Sequence, residues 1–191
     1  MDRDDAARRL LVAAEQLYYS RGIHAVGMDE VRSAAGVSLK RLYQLFPSKE
    51  HLVAAYLDDR DERWRGRLRT YVEQHGTEPG ERLLAVFDWL GLWFAEPGFR
   101  GCAFVNAFGE VGGAAPLVLA AVRRHKVLFR EYLLELTSAY PTAHPEALAD
   151  ELLLLVEGAM SAAAILPGPG PQVAARARRA ASALLDAAPV G

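Results

Sequence analysis

Residues 28–52, MDEVRSAAGVSLKRLYQLFPSKEHL, constrain the fold more than any other stretch of the chain. Val31, Ala34 and Ala35 recur at helical spacing up to Gly36, and a second apolar set, Leu42, Leu45 and Phe46, follows Ser38. Between the two sets, Gly36-Val37-Ser38 reads as a tight turn. Gly36 admits a positive φ, Val37 plugs the core, and the Ser38 hydroxyl caps the helix that follows. The pattern predicts one helix from near Met28 to Gly36 and another over Leu39–Phe46, with Lys40, Arg41, Tyr43 and Gln44 left at or near the outer face. From Arg32 to Lys49 there are four bases (Arg32, Lys40, Arg41, Lys49) and no acid. Short helices, a glycine turn, bases and polar donors are what a helix-turn-helix offers to DNA. Charge alone leaves a second reading open, a solvated basic helix face.

The rest of the chain does not share that character. Across 191 residues the formal net charge is −2, so only the local distribution of charge points to nucleic acid. A hydrophobic share of 51% is ample for a buried core. Ala, Leu, Arg and Glu are abundant and periodic, and strand-like alternation is absent, so the expected fold is all-α with about nine helices. The single cysteine, Cys102, excludes a disulfide framework or a cysteine-based zinc site within one chain. The N-terminal MDRDDAARRL has no apolar signal core, and the greasy run Leu152–Leu166 is short for a membrane span and broken by Glu157-Gly158. A soluble cytoplasmic protein without cofactor or metal, and without membrane association, is expected. An enzyme is not, because there is no phosphate loop, no HExxH and no carboxylate pair with a supporting motif. The histidines (24, 51, 75, 125, 144) are scattered, and Cys102 reads as a small core residue.

In chain order, Asp4 or Asp5 is expected to cap a first helix running to about Tyr19, with Leu10, Leu11, Ala14, Leu17 and Tyr18 on one face and Gly22 as its stop. Ser48 is expected to cap a long fourth helix, Lys49 to about Glu73, whose charged middle reads as an exposed connector. The stretch 74–80 (QHGTEPG) is the expected domain boundary. Helices near 81–95, 101–111, 116–139, 145–166 and 172–187 follow, and the PGPGP run is a hard break before the last. The expected domains are 1–50, continuing into the linking helix 49–73, and 80–191.

Two features of the second domain suggest sites. Residues 83–132 are rich in aromatic groups with isolated polar ones among them. That is either an apolar ligand cavity or an ordinary aromatic core, and Trp89, Trp93, Asn106, Phe108 and Phe129 are the candidate ligand residues. The last two helices carry small and aliphatic residues that allow close helix approach. Val156, Ala159, Ala163, Ala177, Ala181 and Leu184 either form a four-helix dimer interface or cover the chain's own core.

At AGVSLKRLYQLFPSKEHL, residues 35–52, the chain resembles the TetR family of bacterial transcription regulators. The residues that carry the likeness are Ala35, Gly36, Val37, Ser38, Leu42, Tyr43, Phe46, Ser48, Lys49, Glu50 and Leu52. It reaches back through Leu17 and Gly22-Ile23, and residues 100–111 with VRRHKVLFREYL beyond them are similar to the ligand domain of one common subgroup. Three positions depart from the family pattern. Val26-Gly27 stand where Ser or Thr usually caps the second helix, Arg32 stands for a small residue, and Arg41 for the common Thr. The resemblance implies an N-terminal DNA-binding domain with a C-terminal helical domain for ligand binding and dimerisation. It implies a homodimer on a palindromic operator in duplex DNA, in a bacterial cytoplasm and nucleoid-associated when bound. It also implies release by a small effector, which the aromatic region would make apolar or aromatic.

Because the second helix of such a motif enters the major groove, Arg41 is the expected base reader, an arginine being suited to guanine O6 and N7. Lys40 would meet a base or a phosphate, and Gln44 an adenine or a phosphate. The resemblance puts the Tyr43 hydroxyl on a phosphate. Lys49, at a helix N-terminus that already favours anions, is an expected phosphate clamp. Ser38 either touches a phosphate or only caps. A helical protein-interaction module, or a ligand-binding protein without specific DNA binding, is the alternative.

Overall fold

Each helix of the protein begins or ends where the chain chemistry permits. In the computed structural model, which describes residues 2–189, the elements are α1 (Arg3–Arg21), α2 (Met28–Ala35), α3 (Leu39–Leu45), α4 (Lys49–His75), α5 (Pro79–Phe94), α6 (Ala103–Val111), α7 (Pro116–Ser138), α8 (Pro145–Ile165) and α9 (Gly170–Ala187). Among the described residues there are nine helices and no strand, the all-α architecture expected. None of these helices is long and apolar enough to cross a membrane. The outermost residues of the expected domains, 1, 190 and 191, lie outside the described ones.

The boundaries differ from expectation in small ways with clear causes. Asp2, not Asp4 or Asp5, caps α1, its carboxylate accepting from the Arg3 N–H at 2.6 Å. Asp4 and Asp5 instead lie in the first turn, where negative charge complements the helix dipole. Leu11 and Leu17 are only half-buried, while Ala6 and Ala13 join Leu10, Ala14 and Tyr18 inside. Helix α4 runs on to His75, whose ring stacks on Tyr71 at 3.8 Å and whose Nδ1 lies 2.8 Å from the Tyr71 carbonyl. Helix α5 starts two residues early because Pro79 suits a first turn and Glu81 accepts from the Thr77 and Glu78 N–H groups at 3.0 and 3.1 Å. Those hydrogen bonds, with one from the Thr77 hydroxyl, hold the Glu81 carboxyl below its ordinary range. At Gly170 a β-carbon would come 2.7 Å from the Phe94 β-carbon, so α9 can begin there only as glycine.

The chain divides into two compact units. One comprises the described residues up to Arg63 together with Cys102–His125; the other comprises Trp64–Gly101 together with Lys126 onward. Both α4 and α7 contribute residues to each unit. In the first, α1, α2 and α3 pack on one another around Leu10, Ala14, Val31, Val37 and Leu42. Pairs of Glu15 with Arg60 and with Arg63 tie α1 to α4. In the second, α9 packs on α5 and α8, and Gly91 brings α5 within ordinary contact of Ala174 on α9.

Trp64 is the hub of the second unit's aromatic core. Its ring meets Trp89, Trp93 and Phe129 edge-on, with centroids 5.1, 5.5 and 5.2 Å away. Trp89 and Trp93 stack at 5.7 Å. Such pairs contribute about 0.5–1.5 kcal/mol each beyond the area they bury. Around Trp64 the aromatic region is therefore ring packed on ring. Trp64→Ala is expected to destabilise the full chain by about 3–5 kcal/mol in chemical denaturation at fixed protein concentration. A loss below about 1 kcal/mol would show that these rings do not bear the core.

Candidate nucleic-acid interface

The exposed end of the first unit is assembled by three caps. Gly27 caps α2 with backbone alone, and a β-carbon there would meet nothing within 4 Å. The missing hydroxyl at this position thus leaves open space rather than a filled gap. Gly36 ends α2 in the left-handed region at φ 63° and ψ 35°, its N–H reaching back to the Arg32 and Ser33 carbonyls. Ser38 then starts α3 by accepting from the Arg41 N–H at 3.3 Å. Capping accounts for the Ser38 side chain, which is nevertheless exposed. Only Leu42 of α3 is fully buried, and Leu45 and Phe46 are half-buried rather than wholly inward.

The helix anchored in this way presents the expected residues outward. Lys40 and Gln44 are exposed and Arg41 is half-exposed. Tyr43 is 47% exposed, compatible with a ring lying along the protein and a hydroxyl in solvent. Lys40 and Arg41 make no ion pair among the described residues, whereas Arg32 is held by Asp29 at 2.8 Å. Arg32 is therefore a paired helix-surface arginine. Ser48 caps α4 through the His51 N–H at 3.3 Å, and its hydroxyl lies 2.8 Å from His51 Nδ1. Lys49, the first residue of α4, is half-buried, with its Nζ 5.9 Å from the centre of the Tyr18 ring. Desolvation lowers the Lys49 pKa and the nearby Glu110 carboxylate opposes that shift. The structure thus gathers Ser38, Lys40, Arg41, Tyr43 and Gln44 on one short helix and its cap, with Lys49 at the start of the next.

Sequence reasoning missed four residues that support this end. Glu110, at the close of α6, accepts from the His24 N–H at 3.0 Å, and its carbonyl lies 2.8 Å from His24 Nε2. Gly22 leaves room for that carboxylate: at φ 90° it is already a glycine conformation, and a β-carbon would sit 3.0 Å from Glu110 Oε2. Glu50, in the first turn of α4, accepts from the Leu117 N–H at 2.7 Å and so caps α7 from another helix. Asp61 and His125, both buried, meet at 2.7 Å between α4 and α7, and the His125 ring lies flat on Phe104 at 3.6 Å. The hydrogen bonds of Glu110, Glu50 and Asp61 each join residues more than sixty positions apart, so no local spacing announces them. The one available signal was Glu50 itself, a carboxylate in a first turn.

The other candidate residues divide between the two units and between buried and exposed positions. Trp89, Trp93 and Phe129 are buried in the aromatic core of the second unit. Asn106 and Phe108 are exposed residues of α6 in the first. Of the six candidate dimer residues, Val156, Ala159 and Ala181 are buried inside the chain's own packing, while Ala163, Ala177 and Leu184 are half-exposed. The outward apolar groups on α8 are different ones, Leu154 at 73% and Ile165 at 77% exposure. Among the described residues no group of acidic, histidine and cysteine side chains could hold a metal ion.

Residues 10–56 match the model of the bacterial regulatory proteins of the tetR family. The chain is similar along its length to a TetR-family transcriptional regulator from Streptomyces coelicolor, with a TM-score of 0.86 and 30% identity over 97% of this chain and 96% of that one. It is 47% identical over 57 residues to the HTH-type transcriptional activator FasR of Mycolicibacterium smegmatis, covering 30% of this chain and 26% of FasR. It is 29% identical over 108 residues to the HTH-type transcriptional repressor NemR of Escherichia coli K12, covering 56% of this chain and 54% of NemR. The chain thus spans between about a quarter and a half of these two curated relatives.

Removing the cross-helix cap gives a direct check on the support of this interface. Glu50→Ala should cost about 1 kcal/mol, in the range of other N-terminal caps. Hydrogen exchange of the α7 first-turn amides should accelerate, while Glu50→Gln, which keeps an acceptor, should retain most of the protection. Unchanged exchange at Leu117 in the alanine variant would show that the contact is idle.

Proposed function

We infer the function from one premise: this chain belongs to the tetR family of bacterial regulatory proteins. It acts as a sequence-specific transcriptional regulator that binds duplex DNA. The observation that supports this reading is the capped N-terminus of α3, which carries Lys40 exposed and Arg41 half-exposed, both without carboxylate partners among the described residues. In a slightly acidic chain, such bases are matched by phosphates and base edges outside the protein. Arg41 reads a base, Lys40 and Gln44 a base or a phosphate, and Tyr43, Ser38 and Lys49 hold phosphates. Lys49 lies half-buried beside Tyr18, so its role is a clamp at the edge of the contact. The reading domain is 1–50 and the regulatory domain 80–191, joined by the linking helix. The site of action is the bacterial nucleoid.

The protein works as a homodimer on a palindromic operator, because one three-helix head makes few contacts and a two-fold axis doubles them. The α8 surface offers a dimer face: Leu154, Gly158, Ser161 and Ile165 are all exposed and recur at intervals of four, three and four residues, one stripe on a helix. Ala163, Ala177 and Leu184 flank this face. Val156, Ala159 and Ala181 back it from inside the chain.

Regulation is release of a repressor by a small, largely apolar ligand. Trp89, Trp93 and Phe129 supply the apolar surface, and a ligand exchanges its own ring or chain for their ring-on-ring contacts. Asn106 and Phe108 form a separate exposed apolar surface on α6 with one amide. The ligand acts by preferring the conformation in which the two heads are wrongly spaced, and it shifts the equilibrium only by its differential affinity.

Two experiments test this reading. Genomic fragments selected by the wild-type protein should yield a palindromic site whose binding weakens steeply with salt. At that site Arg41→Ala should lose about 1–3 kcal/mol of discrimination, whereas Lys49→Ala should weaken all duplexes alike and flatten the salt slope by about 0.9. No binding at low salt would refute the regulator, and equal loss of preference in both variants would refute the division of roles. Separately, Leu154→Glu should weaken the dimer by at least about tenfold in sedimentation, as expected if a buried leucine contributes roughly 1.5–3 kcal/mol. An unchanged dimer would exclude this face of α8.

A further inference from the structure

The arginines of the first unit are divided between paired and unpaired. Arg8 faces Asp5 at 2.9 Å, Arg32 faces Asp29 at 2.8 Å and Arg124 faces Asp58 at 2.5 Å. Arg21 pairs with Glu30, and both Arg60 and Arg63 pair with Glu15. Arg9, like Arg3, Arg41 and Arg123, is different. It is exposed on α1 and makes no ion pair among the described residues.

Its position is specific. The Arg9 guanidinium crosses from α1 to the α2–α3 turn, where Nη2 lies 3.0 Å and Cζ 3.8 Å from the place a β-carbon on Gly36 would occupy. Gly36 is in the left-handed conformation and has no side chain to push the guanidinium away. Ser38, the cap of α3, is two residues further on, and the unpaired Lys40 and Arg41 follow directly. Arg9 therefore stands, with its planar set of donors uncommitted, beside the N-terminal end of the helix that carries the reading residues.

We propose that Arg9 is a positioning residue for DNA, donating to a backbone phosphate from α1 beside the α2–α3 turn. A guanidinium at this place reaches past the turn, whereas base edges lie in front of α3, so its contribution is affinity without sequence preference. The contact also links α1, otherwise a scaffold helix, to the register of the head on the duplex. This inference rests on the DNA-binding reading above, and one experiment separates the two.

The full chain and its Arg9→Ala, Arg9→Gln and Arg9→Lys variants are titrated across a salt series. The probes are the selected genomic duplex and a random-sequence duplex of the same length, and melting temperatures are measured in parallel. Loss of one phosphate contact should reduce the salt slope by about 0.9 in Arg9→Ala and Arg9→Gln, on both duplexes. A fourfold rise in salt then weakens these variants roughly 3.5-fold less than wild type. Arg9→Lys should restore most of the slope, and melting should move little. A wild-type slope in Arg9→Ala overturns the proposal while leaving the regulator intact. So does a loss of binding that follows a lowered melting temperature at unchanged slope, since Arg9 would then only brace the turn. A change of sequence preference overturns the phosphate assignment. Absence of any duplex binding by the wild-type chain overturns the regulator and this proposal together.

Discussion

The placement of the two longest helices depends on a buried acid and a buried imidazole. Asp61 on α4 and His125 on α7 are 6% and 2% exposed and meet at 2.7 Å. A buried polar contact of this kind penalises neighbouring registers, in which its two members would not meet. Two outer contacts repeat the same alignment. Glu50 reaches the α7 N-terminus at Leu117, and Asp58 meets Arg124. Residue numbers rise together along both helices, from 50 with 117, through 58 with 124, to 61 with 125. In the first unit α4 and α7 therefore run in the same sense, and the flat contact of His125 with Phe104 seats α6 against them.

Much of the reading end was legible because its information is local. The Gly36 turn, the Ser38 and Ser48 caps and the outward set on α3 each rest on residues within four positions, the range over which side chains cap and face each other on a helix. The contacts that brace this end were not legible. Nothing in the spacing of Glu110 identifies His24 as its partner, and Asp61 sits in a run so charged that it reads as exposed. The C-terminal helices were ambiguous for a different reason. Alanine stripes describe close packing without naming the neighbour, so Val156, Ala159 and Ala181 went into the chain's own α5, α8 and α9 contacts. The outward stripe from Leu154 to Ile165 is diluted by Gly158 and Ser161, which hides it from an apolar periodicity. The aromatic region could not be resolved from composition, because a cavity lining and a filled core use the same residues. Only the edge-on geometry around Trp64 distinguishes them locally.

The charge pattern also gains meaning from pairing rather than from count. A net charge of −2 would suggest little affinity for DNA. Yet the first unit neutralises the arginines of α2 and α4 with neighbouring carboxylates and leaves those near the α3 N-terminus unmatched. Surface pairs of this kind contribute little stability, about 0–1 kcal/mol each. Their larger consequence is local: among the described residues, Lys40 and Arg41 near the α3 N-terminus keep their charge unmatched while Arg32, Arg60 and Arg63 do not.

Within the first unit, Glu110 ties the end of α6 to the α1–α2 link and to the start of α4. Its carboxylate and its carbonyl both engage His24, in the link between α1 and α2, and the same carboxylate acts on Lys49 at the start of α4. Displacing the end of α6 would break two hydrogen bonds and change the field at a proposed phosphate clamp in a single step. Neither hydrogen bond is buried, so the latch is worth only a small part of the stability of the fold. Coupling free energies between sites are typically about 1–3 kcal/mol, so contacts of this strength are of the size that the proposed regulation would have to change.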